Sequence, residues 1–128
     1  MPALEPVEAW RVTATREALD AAIWHGEDVD VVRIAPDEAL GLGATGVELS
    51  GDPDAIVEPD GGFSVAMLDR AELATVAAHT EWEIASVKGS VAQGKVAGVP
   101  AKLVISEPSL LIVQTAYADE LERQLGWR

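Results

Sequence analysis

Apolar residues alternate with polar ones, or recur at helical spacing, along most of the chain, and this pattern predicts the secondary structure. Residues 7–13 read as a strand. A helix capped by Thr13 or Thr15 is expected to follow and to run to about His25. Three apolar residues at helical spacing form its predicted buried face: Leu19, Ala22 and Ile23.

The next stretch predicts short elements separated by breakers, and Pro36 ends the first of them. The expected elements, in order, are a strand at 29–34, a helical turn at 37–42, a loop at 43–46 and a strand at 47–49. Residues 50–62 are rich in Pro, Gly and Asp and predict turns. This stretch marks the boundary between two halves of the chain.

The second half begins with a predicted strand at 63–68. Asp69 and Glu72 then have the spacing of a capping box, which indicates the start of a helix. Leu73, Val76 and Ala77 form its predicted buried stripe. This half therefore repeats the order of strand followed by helix.

Three strands and a helix are expected after that: strands at 87–96, 100–105 and 110–115, and a helix from about Ala116. The four-residue loop 106–109 has the length of a hairpin connection. Tyr117, Leu121 and Leu125 form the predicted inner face of the last helix, and Gly126 ends it.

Helices separated by hairpins favour an α+β fold with a mixed or antiparallel sheet and its helices on one face. Each half resembles a split βαβ unit. The length of 128 residues fits one domain, so we expect residues 1–128 to form a single α+β domain.

Composition and charge exclude several functions. There is no cysteine, so disulfides, thiolate catalysis and cysteine-bound zinc are excluded, and a cytoplasmic location is compatible with this. The net charge of −13 repels phosphate groups, so neither nucleic acid nor an anionic membrane surface is expected as a partner. The first seven residues do not resemble a signal peptide. The acidity serves solubility or matches a basic partner.

No candidate motif predicts catalysis, a metal site or an assigned cofactor. Residues 41–46 match G-x-G-x-x-G, but the strand and long helix that a dinucleotide site requires are not predicted around them. His25 and His79 each fall near the predicted C-terminal end of a helix, and their spacing does not indicate a metal site, which would need further ligands brought together by the fold. Closely spaced carboxylates such as Asp28 and Asp30 lack the Gly and Glu of a calcium loop.

Tryptophan is the abundant aromatic residue, with four copies against one Phe and one Tyr. Because Trp is enriched at protein interfaces, Trp127, Trp24 and Tyr117 are the interface candidates. Trp127 follows the last predicted helix, where little core remains to cover it. Trp10 and Trp82 are expected to pack in or near the core.

Several segments resemble the gamma subunit of heterotetrameric sarcosine oxidase. The resemblance covers most of the chain from about Val29 onward, and its motifs are short. The segments that carry it are 34–40, Ile-Ala-Pro-Asp-Glu-Ala-Leu; 69–76, Asp-Arg-Ala-Glu-Leu-Ala-Thr-Val; 81–84 with 89–94; 99–105; 110–113; and 117–121. Compared with that family the chain is compact, and it lacks the Cys that family members often carry ahead of a Gln-Thr pair.

The resemblance implies the fold of aminomethyltransferase folate-binding domains and a non-catalytic accessory subunit of a larger oxidoreductase. No catalytic residue of the family is matched. Three alternatives stay open. The first is a domain that binds a small, folate-like ligand, and the second is a self-contained homo-oligomer formed through sheet edges and exposed Trp. The third is an enzyme with His25 and His79 as its proton carriers.

Overall fold

A computed structural model describes residues 2–80 and 89–127; Trp82 and the predicted strand start at residue 87 lie outside the described residues. The chain divides into two compact units. The first unit is Val7–Gly61, and the second unit joins Met1–Pro6 to Gly62–Arg128. The division falls inside the turn-rich stretch 50–62. The single-domain organisation of residues 1–128 stays a prediction.

The described residues form short strands and helices. The strands are β1 (Glu5–Val7), β2 (Ala9–Thr13), β3 (Ile23–His25), β4 (Asp30–Ala35), β5 (Glu38–Leu42), β6 (Gly46–Glu48), β7 (Ile56–Pro59), β8 (Phe63–Leu68), β9 (Val91–Val96), β10 (Val99–Val104) and β11 (Ser109–Gln114). The helices are α1 (Arg16–Asp20), α2 (Arg70–Ala77) and α3 (Ala118–Gln124), with a 3-10 turn at Thr115–Tyr117. The α+β fold class is confirmed.

The first unit has a four-stranded sheet in the order β4-β5-β2-β7 and a two-stranded sheet of β3 and β6. The pairings within both sheets are antiparallel. Helix α1 places Ala18 and Leu19 against Val12 of β2 and Ala39 of β5, which together form a small apolar core. Burial of these side chains holds the short helix, because five residues are too few for a stable isolated helix.

The second unit has a five-stranded sheet in the order β1-β8-β11-β10-β9. Strands β8 to β11 pair antiparallel, and the loop between β10 and β11 is the predicted hairpin. Leu103 and Leu111 face each other across β10 and β11 and are fully buried. They share one apolar cluster with Val76 of α2 and Leu121 of α3, so both helices cover the same face of this sheet.

The turn between β9 and β10 has a two-residue loop, Ala97 and Gly98, closed by the pair Val96 and Val99. Both loop residues have positive φ, 49° and 82°. Positive φ at both positions is the geometry that matches the twist of a tight hairpin. Ala97 carries a side chain in this conformation, whereas Gly98 adopts it without steric cost.

Two predicted elements in the first unit are wrong at their ends. The strand expected at 7–13 is two strands, with β1 ending at Val7 and β2 beginning at Ala9. The helix expected to reach His25 ends at Asp20, and β3 follows it. Ile23, assigned to the buried helix face, is 58% exposed. Apolar periodicity over so few residues does not separate a helix from a strand, and pairing with β6 decides the outcome.

The helical turn expected at 37–42 is strand β5, which lies between β4 and β2 in the sheet. Ala39, Leu40 and Leu42 are almost completely buried there. Glu-Ala-Leu is a good helix-forming sequence, but hydrogen bonding to neighbours on both sides and burial of three apolar residues outweigh that local preference.

The capping box of α2 gives the first testable prediction. Asp69 Oδ1 accepts a hydrogen bond from the backbone N–H of Glu72 at 2.8 Å, and Glu72 Oε1 accepts one from Asp69 N at 2.9 Å. We expect Asp69→Ala to lower the free energy of unfolding by about 1 kcal/mol, because it removes this N-cap. Urea-induced unfolding measures the change. Asp69→Asn keeps the acceptor and is the control; an equal loss in both variants contradicts the role of the cap.

Candidate interaction surface

The charge of the chain is distributed unevenly between the two units. The first unit contains thirteen acidic and three basic residues, which gives a net charge of −10. The second unit contains nine acidic and six basic residues, which gives −3. Every lysine of the chain is in the second unit. The first unit therefore carries most of the negative field that acts on an approaching partner.

Few of these carboxylates are neutralised inside the first unit. Glu38 and Asp60 share Arg11, Asp20 pairs with Arg33, and Glu48 contacts His25. The other nine acidic residues of this unit form no ion pair with Arg or Lys and no contact with His among residues 2–80 and 89–127. Their mutual repulsion destabilises the folded unit, and a cationic surface placed against them relieves it.

Arg11 is the central cation of the first unit. Its Nε donates to Asp60 Oδ2 at 2.6 Å, and its Nη1 donates to Glu38. Partial burial acts to lower the pKa of Arg11, but hydrogen bonds to Asp60 and Glu38 outweigh it, so the pKa is raised above its ordinary value. A pKa raised by folding means that this stabilisation is fully present at neutral pH and is lost only as the pH rises through the folded-state pKa.

Strand β7 is the feature of this unit that the sequence analysis missed. It pairs with β2 on one side and, among the described residues, ends the sheet on the other. All four of its residues are exposed, with Ile56 at 57% and Val57 at 40%. The carboxylates of Asp54 and Glu58 are exposed beside them. The sequence feature that could have indicated this strand is the Ile-Val pair at 56–57, inside an otherwise polar, turn-forming stretch.

The β7 edge, defined as Asp54 with Ile56–Pro59, thus joins exposed apolar surface to negative charge. Unpaired edge strands are sites where another chain can add, and a charge or a proline limits such pairing. Glu58 places a charge on this edge, and Pro59 has no N–H to donate, so the edge is suited to a cationic segment and unsuited to a second acidic copy.

Trp24, predicted as an interface residue, is half-buried on β3 and packs against the core of the first unit. Its six-membered ring lies directly over Gly41, so close that a Cβ added to Gly41 would overlap with Cε3 and Cζ3. The side chain therefore has a packing role within its own unit. A contact between the exposed part of Trp24 and a partner protein stays a prediction.

Trp127 and Tyr117, the other interface candidates, lie at opposite ends of α3. Trp127 is half-buried and packs against the core of the second unit, so core does remain to cover it. Tyr117 was also expected on the buried face of the last helix, but it precedes α3 and is 40% exposed. The role of Trp127 and Tyr117 in an interface stays a prediction. Trp10, on β2, is half-buried.

The histidines occupy two different environments. His25 lies at the end of β3 and not at a helix end, and its Nε2 is 2.9 Å from Glu48 Oε2. His79 follows α2 as expected, with Nδ1 2.9 Å from the carbonyl oxygen of Thr75. Within residues 2–80 and 89–127, no group of three or more His, Cys, Asp or Glu side chains is placed to hold a metal ion.

The G-x-G-x-x-G match does not have the surroundings of a dinucleotide site. Gly41 is inside β5, and Gly46 begins β6, so the segment joins two strands. A pyrophosphate site of this type needs a helix N-terminus directly after the glycines. The prediction that this is a structural glycine-rich loop is consistent with that connection.

No helix in the described part of the chain has the length and apolar character to cross a membrane. The fold and charge together define a class: an acidic α+β protein with antiparallel sheets and an exposed, negatively charged sheet edge. Comparison with models of known protein families and with curated proteins gives no match for this chain.

Proposed function

We propose that this protein is a non-catalytic accessory subunit whose first unit binds the basic surface of a larger protein. The observation that carries the proposal is the concentration of charge, −10 of the total −13, in the 55 residues of Val7–Gly61. Complementary charge steers association and selects partners of opposite sign.

The β7 edge supplies the apolar contact that charge alone does not. Ile56 and Val57 expose large apolar side chains, and Ile23 and Val31 of the same unit are 58% and 48% exposed. Four of the six large exposed apolar side chains recorded for the described residues are therefore in the first unit. Interfaces combine an apolar centre with a polar rim, and the β7 edge, with Ile56 and Val57 beside Asp54 and Glu58, has both components.

The resemblance to the gamma subunit of sarcosine oxidase extends the proposal to the class of partner. In that family the flavin and folate chemistry belongs to larger subunits. We therefore propose a larger subunit of a flavin- or folate-dependent oxidoreductase as the partner. Self-association is the less favoured assembly, because two copies that each carry −13 repel one another.

Affinity purification of the tagged chain from its native cell, followed by mass spectrometry, tests this proposal. We expect recovery of one larger protein, and less of it as the salt concentration in the wash increases, because ions screen exposed charges beyond a Debye length of about 8–10 Å. Recovery of the chain alone contradicts the proposal.

A pair of matched variants locates the surface. The first double variant, Asp54→Lys/Glu58→Lys, changes two exposed carboxylates of the first unit. The second, Glu5→Lys/Glu120→Lys, changes two exposed carboxylates of the second unit. Each double variant shifts the net charge of the chain from −13 to −9. We expect the first variant to weaken binding of the recovered partner by at least about tenfold and the second to weaken it much less. Equal losses in both mean that net charge matters and the β7 edge does not.

A further inference from the structure

A cleft lies on the face of the second unit's sheet that is opposite to α2 and α3. Strand register places Val65, Ile112, Lys102 and Gln93 in one row across β8, β11, β10 and β9, and Phe63 beside Gln114 in the next. Most of these side chains line a cleft of about 480 Å³. That volume lies in the range of small-molecule sites.

Lys102 provides the first chemical feature of the cleft. Its Nζ lies 5.7 Å from the centroid of the Phe63 ring, at the outer limit of a cation–π contact. No carboxylate in the described residues forms an ion pair with this ammonium group, although the chain contains 22 acidic residues. The positive charge is thus available to an anion that enters the cleft.

Lys95 adds a second positive charge to the lining. It is opposite Pro100 in the β9–β10 pairing, on the same face of the sheet as Lys102. These are two of the three lysines of the chain. Both lysines are on neighbouring strands of a unit whose net charge is only −3, against −10 for the first unit.

The remaining lining favours a flat, apolar body attached to the anion. Phe63 and Ile112 form a floor that is nearly fully buried, at 6% and 1% exposure. Tyr117 adds a 40% exposed ring from the 3-10 turn. The side-chain amides of Gln93 and Gln114 each offer a donor and an acceptor. Aromatic rings prefer offset-stacked or edge-to-face contact with another ring.

We propose that this cleft binds small organic anions that carry a carboxylate directly on a flat aromatic ring. The carboxylate contacts Lys102, and the ring lies against Phe63 and Tyr117. A neutral ring lacks the ion pair, and a non-planar acid lacks the stacking contact. The site uses residues of the second unit, whereas the proposed partner surface uses the first, so the two proposals fail independently.

The experiment titrates the full chain with 1-naphthoate and benzoate, followed by two-dimensional NMR of the backbone amides. We expect saturable shifts at cleft residues, with 1-naphthoate binding more tightly because it offers more ring surface. Benzamide and cyclohexanecarboxylate are the ligand controls, and each is expected to bind at least about tenfold more weakly than benzoate or not at all. Shifts spread over the whole chain without saturation overturn the proposal.

Three variants test the residues. Lys102→Met removes the charge but keeps an apolar stem, Lys102→Arg keeps the charge, and Arg123→Met removes one charge from an exposed position of α3. We expect Lys102→Met to weaken 1-naphthoate binding at least about tenfold, while Lys102→Arg and Arg123→Met stay near wild type. Circular dichroism confirms folding of each variant. Binding by Lys102→Met at wild-type affinity overturns the proposal, as does an equal loss in Arg123→Met.

Discussion

Leu121→Ala is expected to lower the free energy of unfolding by about 2–5 kcal/mol, since it removes a fully buried side chain and leaves a cavity. Leu121 has 0% exposure and belongs to the same apolar cluster as Leu103, Leu111 and Val76. These residues come from α3, two strands and α2, so little rearrangement is available to fill the space. Urea-induced unfolding, followed by far-UV circular dichroism, measures the loss.

Tyr117→Ala is the matched control, because Tyr117 lies one helical turn earlier and shares the same sequence spacing. Its side chain is 40% exposed, so we expect a loss below about 1 kcal/mol. The apolar pattern of the last helix assigned both residues to one buried face. Comparable losses in the two variants would contradict the exposed position of Tyr117.

Gly41→Ala is expected to destabilise the protein by about 1–3 kcal/mol through overpacking. A Cβ at this position overlaps with the ring of Trp24 and comes within 3.2 Å of the Cβ of Ala44. The φ angle of Gly41 is not positive, so contact and not backbone strain is the cause. The indole is rigid and half-buried, and it does not move aside without losing its own packing. Urea-induced unfolding measures the loss here too.

Gly46 provides the control within the same glycine motif. An added Cβ there meets no atom within 4 Å, and its φ is also not positive, so Gly46→Ala is expected to change stability by no more than about 0.5 kcal/mol. A double-mutant cycle with Trp24→Leu then measures the contact directly. If Gly41→Ala costs the same with and without the indole, Trp24 does not occupy the position described here.

Local sequence signals predicted the second unit well. Strand β8 begins and ends at the expected residues, 63 and 68, and the capping box of Asp69 and Glu72 forms. The hairpin after β10 and the burial of Leu121 and Leu125 are also confirmed. These features depend on residues within a few positions of one another, such as the N-cap residue Asp69 and the N3 residue Glu72, so a local sequence pattern is enough to predict them.

Predictions in the first unit were less accurate, because its short strands depend on partners distant in sequence. Residues 38–42 form strand β5 because they pair with β4 and β2. Residues 23–25 form strand β3 because they pair with β6. Residues 56–59 read as part of a turn until β2 is placed beside them. Strand preference depends mainly on cross-strand neighbours, which a local pattern does not contain.

The candidate sites show the same division. Net charge, the lack of cysteine and the interpretation of G-x-G-x-x-G as a structural segment followed from the sequence alone, since each depends on composition or on adjacent residues. The packing of Trp24 on Gly41, the exposed β7 edge and the cleft around Lys102 did not. Each of these features brings together residues that are distant in sequence. Strand pairing determines those contacts, and strand pairing is a property of the folded chain and not of any one segment.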